Sequence, residues 1–299
     1  MTARQLLLLA IPTFVWGTTW YVIKTQLGVV PVEWSVAYRF IVASVIMFAI
    51  AAIRRRSLAF PPRAHIFFLG VGLFQFFANF NFVYQASEVV TSGLIAVAFA
   101  LLIVPNAVLA WIFFRHRVDR NFIAGAAMGI VGVSLLFRQE IAALSGGPEL
   151  GWGLAMTVLA VLSASAANVM QASPFIRSYA MTSMLAWAML YGAIFDVGAA
   201  WLVAGPPVIE LTPVYIGGVV YLAVFASAIA FVVYFNVIRE VGPARAAYSG
   251  VIVPFVAMAI STALEGYVWT LPAIIGAILT VSGLLIALGA RNKVRQPAA

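Results

Sequence analysis

Apolar runs of about 20 residues, the length a helix needs to cross a hydrocarbon core, recur along the whole chain with only short connectors between them. This recurrence constrains the fold more than any single motif. Inside a bilayer every backbone N–H and C=O must be satisfied within the protein, so such a chain folds as a bundle of spanning helices. The composition agrees. Of 299 residues, 64% are hydrophobic and 9% are charged, too few charges to cover a water-facing surface. The expected fold class is an all-α integral membrane protein, with the lipid bilayer as its solvent and no soluble domain. The run that follows Arg4 has the outline of a signal peptide, but no A-x-A-like cleavage site follows it, and it reads as the first span.

Ten transmembrane helices are expected, over residues 5–27, 34–53, 64–85, 92–114, 121–137, 150–171, 182–204, 213–238, 245–265 and 271–290. Their orientation follows from the basic residues. Fourteen of the 17 Lys and Arg fall at one set of alternate connectors and at the termini. They are Arg4, Arg54, Arg55, Arg56, Arg63, Arg115, Arg117, Arg120, Arg177, Arg239, Arg245, Arg291, Lys293 and Arg295. The opposite side holds only Lys24 and Arg138, and Arg39 lies within the second span, so the positive-inside rule places both termini in the cytoplasm. The net charge of +8 and the pI near 10.1 are therefore signs of topology, and nucleic acid is not an expected partner.

The two halves share landmarks. Pro105 stands eleven residues before His116 and Pro254 eleven before Glu265, while Gly125 and Gly132 are echoed by Gly276 and Gly283. Glu88-Val89 and Glu240-Val241 precede these blocks. Five spans per half is an odd number, so duplicated halves enter the membrane in opposite orientations. Such inverted repeats are typical of transporters, with a substrate site near the midplane between the halves. The expected units are 1–140 and 148–291, followed by a short basic cytoplasmic tail, 292–299.

The blocks IVPNAVLAWIFFRHRVDRNFIAGAAMGIVGVSLL and IVPFVAMAISTALEGYVWTLPAIIGAILTVSGLL resemble the paired EamA modules of the drug/metabolite transporter superfamily. A mid-helix proline, an acidic residue at the helix end and a G-x6-G helix recur there. The stretch FVWGTTWYVIK, Phe14 to Lys24, resembles the opening helix of such modules. His116 departs from the pattern, standing where the first module usually has Glu. Within the superfamily the chain is most similar to the YddG-type exporters of aromatic amino acids. The resemblance implies a multi-pass protein of the bacterial cytoplasmic membrane, with helices five and ten at the periphery and the cavity between helices one, three, four, six, eight and nine.

The residues argue against an enzyme. Cysteine is absent, which excludes disulfides, thiol nucleophiles and cysteine-bound metals. The two histidines, His65 and His116, lie at cytoplasmic helix ends, and neither H-E-x-x-H nor G-x-S-x-G occurs. Of nine acids only Asp196 is well inside a span, so paired carboxylates are missing. No cofactor and no metal site is expected. Arg39 and Asp196, in the outer halves of their helices, are expected to snorkel or to pair with a loop acid such as Glu33 or Glu88.

Candidate binding residues come from helical stripes. Thr13, Trp16, Gly17, Trp20 and Lys24 share one face at about 100° per residue. Indole faces clasp planar apolar groups and attract ammonium ions. Trp16 lies deep enough to face a cavity, whereas Trp20 and Lys24 also fit the interfacial belt, where Lys24 would otherwise meet a carboxylate. In FQFFANFNFVYQASE, Gln75, Asn79 and Phe82 fall on one face. Phe76, Phe77, Phe80 and Tyr84 fall on another, which meets lipid or a neighbouring helix, and Asn81 suits a bond between helices. Asn168, on the sixth span, suits the cavity or helix packing. Pro12, Pro105 and Pro254 are expected to bend their helices. Gly125-x3-Gly129 marks close packing within the chain or at a dimer contact, so a monomer or a weak homodimer is expected.

These features together suggest an alternating-access exporter whose substrates are small molecules: amino acids with aromatic and other large apolar side chains, and related metabolites. An exporter of aromatic organic cations and a passive channel are the alternatives. The cation exporter usually needs a buried carboxylate, and a channel would show charge rings or filter carbonyls. With no midplane carboxylate visible, obligatory proton coupling through such a group is not expected.

Overall fold

In the computed structural model, which describes residues 3–115, 120–143, 148–241 and 249–289, the apolar runs form ten helical segments and no strand among the described residues. α1 is Ala3–Lys24, α2 Val32–Ile53, α5 Arg120–Ala143 and α6 Pro148–Ala172. α7 is Met181–Ala204, α9 Ser249–Leu264 and α10 Leu271–Gly289. α3 is built from Pro62–Val71, a π-helical Gly72–Ala78 and Asn79–Ser87. α4 is two pieces, Ser92–Ala100 and Ile103–Phe114. α8 is Pro213–Tyr221, a π-helical Leu222–Ile229 and Ala230–Val241. Among the described residues, seven helices are long and apolar enough to cross a bilayer, and three shorter apolar stretches lie in α5, α9 and α10. The expected spans match these elements closely, except that α5 runs on past 137 to Ala143. His116, Arg117, Arg245 and the 292–299 tail lie outside the described residues.

Local chemistry sets the helix ends. Thr212 caps α8, its hydroxyl accepting the Tyr215 N–H at 3.3 Å, with Pro213 at the first helical position where no donor is missed. Gly205, at φ +77, ends α7 in a conformation that a side chain would resist. α4 breaks where the sequence predicts. Pro105 has no N–H to offer the Leu101 carbonyl, and the Val104 N–H takes it instead at 2.9 Å, while Leu101 and Leu102 bond back only three residues. α1 and α9, in contrast, continue as helices through Pro12 and Pro254.

The outer surface is apolar. Leu202, Ile53 and Leu7 are 86%, 80% and 70% exposed, as suits a hydrocarbon solvent rather than water. The core lies between α2, α3, α7 and α8, with Phe40, Met47, Phe68, Phe76, Leu185 and Met189 fully buried. Phe40 packs on Phe76 and Phe80 at 5.2 and 5.1 Å, so the phenylalanine face of α3 meets neighbouring helices rather than lipid. The π-helical turn of α3 lies against α6 and α7, and that of α8 lies against α1 and α2. Gly72 makes the first approach possible, since a Cβ there would stand 2.6 Å from the Ala188 carbonyl oxygen.

α5 and α10 form a peripheral pair packed mainly on each other. A Cβ on Gly125 would stand 2.4 Å from Gly283 O, and one on Gly132 2.6 Å from Gly276 O. The reciprocal approaches, Gly276 to Gly132 O and Gly283 to Gly125 O, are 2.6 and 2.5 Å, and Gly283 also meets Gly129 N at 2.6 Å. The G-x6-G repeats and Gly129 thus face each other inside one chain, backbone on backbone and antiparallel.

Arg39 and Asp196 depart from expectation. They neither snorkel nor reach Glu33 or Glu88, being 1% and 0% exposed within the four-helix core. Arg39 Nε donates to Ser227 Oγ at 3.1 Å, and its guanidinium lies over the Phe80 ring at 4.0 Å. Asn81 donates to Asp196 Oδ1 at 2.7 Å, the helix-to-helix bond expected of it. Arg39 is within electrostatic reach of both Asp196 and Tyr84. The α2, α3, α7 and α8 faces enclose these groups, which takes them from the water that snorkelling requires. Glu88, outside the spans, instead neighbours Glu33, and burial followed by that like charge raises its carboxyl pKa.

Candidate functional site

The α1 stripe faces α4, α8 and α9. Trp16 donates Nε1–H to the Ala226 carbonyl at 3.1 Å, a residue in the π-helical turn of α8. Its indole meets Phe231 and Tyr234 edge-on at 5.4 and 4.9 Å. One turn along, Trp20 lies 4.8 Å from Phe99 of α4. Gly17 permits this convergence, because a Cβ there would stand 2.5 Å from Val256 of α9. Trp20, Phe82 and Phe99 all pack against the same two core clusters, so three helices bring aromatic side chains to one level.

Several buried polar atoms have no hydrogen-bond partner among the described residues. Trp20 Nε1 and Asn79 Oδ1 are buried without a hydrogen-bond partner, as are Asn106 Oδ1 and Gln171 Nε2. A lone buried donor or acceptor costs about 1–3 kcal/mol. Such a cost is characteristic of sites that a polar ligand or water completes. Gln75 and Asn79 are 6% and 3% exposed, and Asn79 Nδ2 donates weakly to the Gln75 carbonyl at 3.4 Å. Asn168 is half-buried on α6.

Lys24 lies elsewhere. It is eight residues beyond Trp16, about 12 Å along the helix axis at 1.5 Å per residue. Its ammonium is 3.4 Å from Oε1 of Glu265, the residue after α9, and 3.4 Å from the Val90 carbonyl. Ser92, the first residue of α4, donates its N–H to the Glu265 oxygens at 3.3 and 3.2 Å and its hydroxyl to Oε2. Tyr21, Lys24, Thr25, Leu264 and Glu265 line an open cleft of about 320 Å³ at this end.

Sequence reasoning missed Phe99, Phe231, Tyr234 and Asn106. Asn106 stands directly after Pro105 in the IVPN motif, where the broken helix was already expected, and was legible there. The aromatic partners were not, because a wheel drawn on one helix says nothing of what a neighbouring helix brings. Among the described residues no group of three or more His, Cys, Asp or Glu is placed to hold a metal ion.

Ten apolar helices around a shared aromatic and amide-bearing interior define an integral membrane protein of the transporter class. The EamA-like transporter family matches residues 3–138 and again 151–289, and the chain belongs to that family. Protein PagO of Salmonella typhimurium is 24% identical over 287 residues, covering 96% of this chain and 93% of that one. A probable amino-acid metabolite efflux pump of Salmonella typhimurium is 26% identical over 300 residues, covering 96% and 95%. The inner membrane transporter YedA of Escherichia coli K12 is 29% identical over 280 residues, covering 89% and 86%. A solved crystal structure shares the fold at a TM-score of 0.70 and 19% identity, over 96% of this chain and 97% of that one.

Proposed function

We propose that this protein exports amino acids with aromatic and other large apolar side chains, and related small metabolites, across the bacterial cytoplasmic membrane by alternating access. The observation that carries this reading is the convergence of Trp20, Phe82 and Phe99 from three helices, with Trp20 Nε1 buried and without a hydrogen-bond partner among the described residues. Ring faces hold the side chain, and the free donors and acceptors hold the head group. The name of the efflux-pump relative supports amino-acid metabolites as the cargo, and that of YedA supports the inner membrane. Two inverted five-helix units, 1–140 and 148–291, with both termini cytoplasmic, form the working parts. The matched π-helical turns of α3 and α8, each against helices of the opposite half, support that division.

A panel of amino acids, sugars and cationic dyes presented to proteoliposomes, with and without a pH gradient, tests this. Saturable, trans-stimulated amino-acid flux is expected; transport of no amino acid would overturn the reading, and nonsaturating flux would favour a channel. Gln75→Leu and Asn79→Leu are expected to lower the flux, and unaltered transport would remove both from the site.

Export of aromatic organic cations is the second reading. It draws on Asp196, a fully buried carboxylate with Oδ2 unpartnered. Arg39 in the same cluster, within electrostatic reach, partly offsets that charge, and the zwitterionic cargo stays the first reading. Transport that is not obligatorily proton-coupled through Asp196 remains part of the proposal. Asp196→Asn is expected to retain uphill efflux, and loss of uphill efflux with downhill exchange intact would contradict this.

A further inference from the structure

Where α1 and α9 end and α4 begins, three chain segments are joined by one carboxylate. Glu265 is 6% exposed, yet it follows the last residue of α9 and reaches across to the first residue of α4. Glu265 caps the start of α4 from outside that helix, accepting both the N–H and the hydroxyl of Ser92. A carboxylate at a helix N-terminus also offsets the helix dipole. Lys24, at the last turn of α1, completes the junction through Glu265 and the Val90 carbonyl. Beneath it α4 and α9 are in close contact, a Cβ on Gly93 standing 2.6 Å from Met258 Sδ and 2.9 Å from Ser261 Cβ.

The junction has two properties that a permanent strut would lack. The Lys24–Glu265 separation of 3.4 Å is longer than the 2.7–2.9 Å typical of a charge-assisted hydrogen bond. The ammonium side chain is 33% exposed and lines the open cleft with Tyr21, Thr25 and Leu264. An ammonium and a carboxylate in contact at the wall of a cleft are the mirror image of an α-amino acid's head group. A zwitterion can exchange partners with them, its carboxylate going to Lys24 and its ammonium to Glu265, with no net charge brought in or lost.

We propose that the Lys24–Glu265 pair is the latch of the mouth opposite the chain termini and also its zwitterion subsite, so that an amino-acid head group opens the mouth by taking the place of the pair. The zwitterion half of this proposal rests on the amino-acid reading above; the latch half does not. Electrostatic exchange of partners makes the opening selective. A molecule with only one of the two charges breaks the pair and leaves a partly buried partner unmatched, which is disfavoured.

The cysteine-free chain provides the test. Ser261, fully buried one turn before Glu265 and with Oγ unpartnered, takes a near-isosteric Ser261→Cys reporter behind the latch. The full-length chain in vesicles is exposed to a membrane-impermeant maleimide on the face opposite the termini. In the absence of ligand, Lys24→Met and Glu265→Gln are each expected to speed labelling roughly tenfold, while Lys24→Arg keeps it slow. With the pair intact, phenylalanine is expected to speed labelling, and phenylalanine amide and phenylpropionate, each lacking one charge, are not. Unchanged labelling in both charge-removing variants would overturn the latch. An equal rise with all three ligands, or no rise with phenylalanine in a chain that transports it, would overturn the subsite. If proteoliposomes showed no amino-acid flux at all, the amino-acid reading and its subsite would fall together, and the ligand-free labelling would still decide the latch.

Discussion

Trp20 and Asn79 each keep a buried polar atom without a hydrogen-bond partner among the described residues, and at the residue scale this is what a test can use to tell the proposed binding role from a packing role. Trp20→Phe keeps a ring against Phe99 and removes the orphan N–H. It is expected to leave the melting temperature unchanged or higher while raising KM roughly fivefold, the worth of one hydrogen bond; detergent melting curves and liposome kinetics read the two effects separately. Arg39 and Asp196 invite the opposite expectation. Arg39→Leu leaves a buried carboxylate uncompensated and should cost about 3–5 kcal/mol, whereas the double change Arg39→Leu with Asp196→Leu should cost much less. Thermal unfolding of the three variants checks this. The stripe containing Trp16 and Trp20 was legible in the sequence because α1 is a regular helix over those residues. The burial of Arg39 was not, because one helix's sequence does not reveal that three other helices surround it.

At the scale of the element, irregular backbone marks where one-dimensional reasoning stops. Pro105 announced the break in α4, since a missing N–H is visible in the sequence. The π-helical turns of α3 and α8 carry no such mark, and a wheel turned at a constant angle drifts across Gly72–Ala78. The grouping of Gln75 with Asn79 survives as shared burial, but their facing relative to Phe82 does not follow from spacing alone. The glycines of α5 and α10 were legible as a repeat, and the structure gives them a physical task. Gly132→Leu or Gly283→Leu would force a side chain into space held by backbone oxygen, which does not yield as a flexible side chain does. Each is expected to destabilise the protein by about 3 kcal/mol or more, seen as a lower melting temperature and reduced yield, while Ile278→Leu on the exposed side of α10 should have no such effect.

At the scale of the whole molecule, the number of spans and their partners in packing came from different sources. The count followed from apolar runs and the alternation of basic connectors, because bilayer thickness and backbone satisfaction leave little choice. The pairing of α2 with α7 and of α5 with α10 is a long-range fact that periodicity does not encode. Single cysteines in the cysteine-free chain offer a direct check on orientation. Reporters at Ser57 and Ala59 in the connector after α2 are expected to react only from the cytoplasmic side, and one at Pro207 after α7 only from the outside. The reverse pattern would invert the topology.

The α5–α10 seam has a mechanical consequence. Where the two backbones meet at glycine, little side-chain matter lies between them to deform, and sliding of one past the other is resisted by backbone collision. α5 belongs to the first half of the chain and α10 to the second. In the alternating access proposed above, rocking of the two halves would leave this line almost still and be largest far from it, so the seam would serve as their axle.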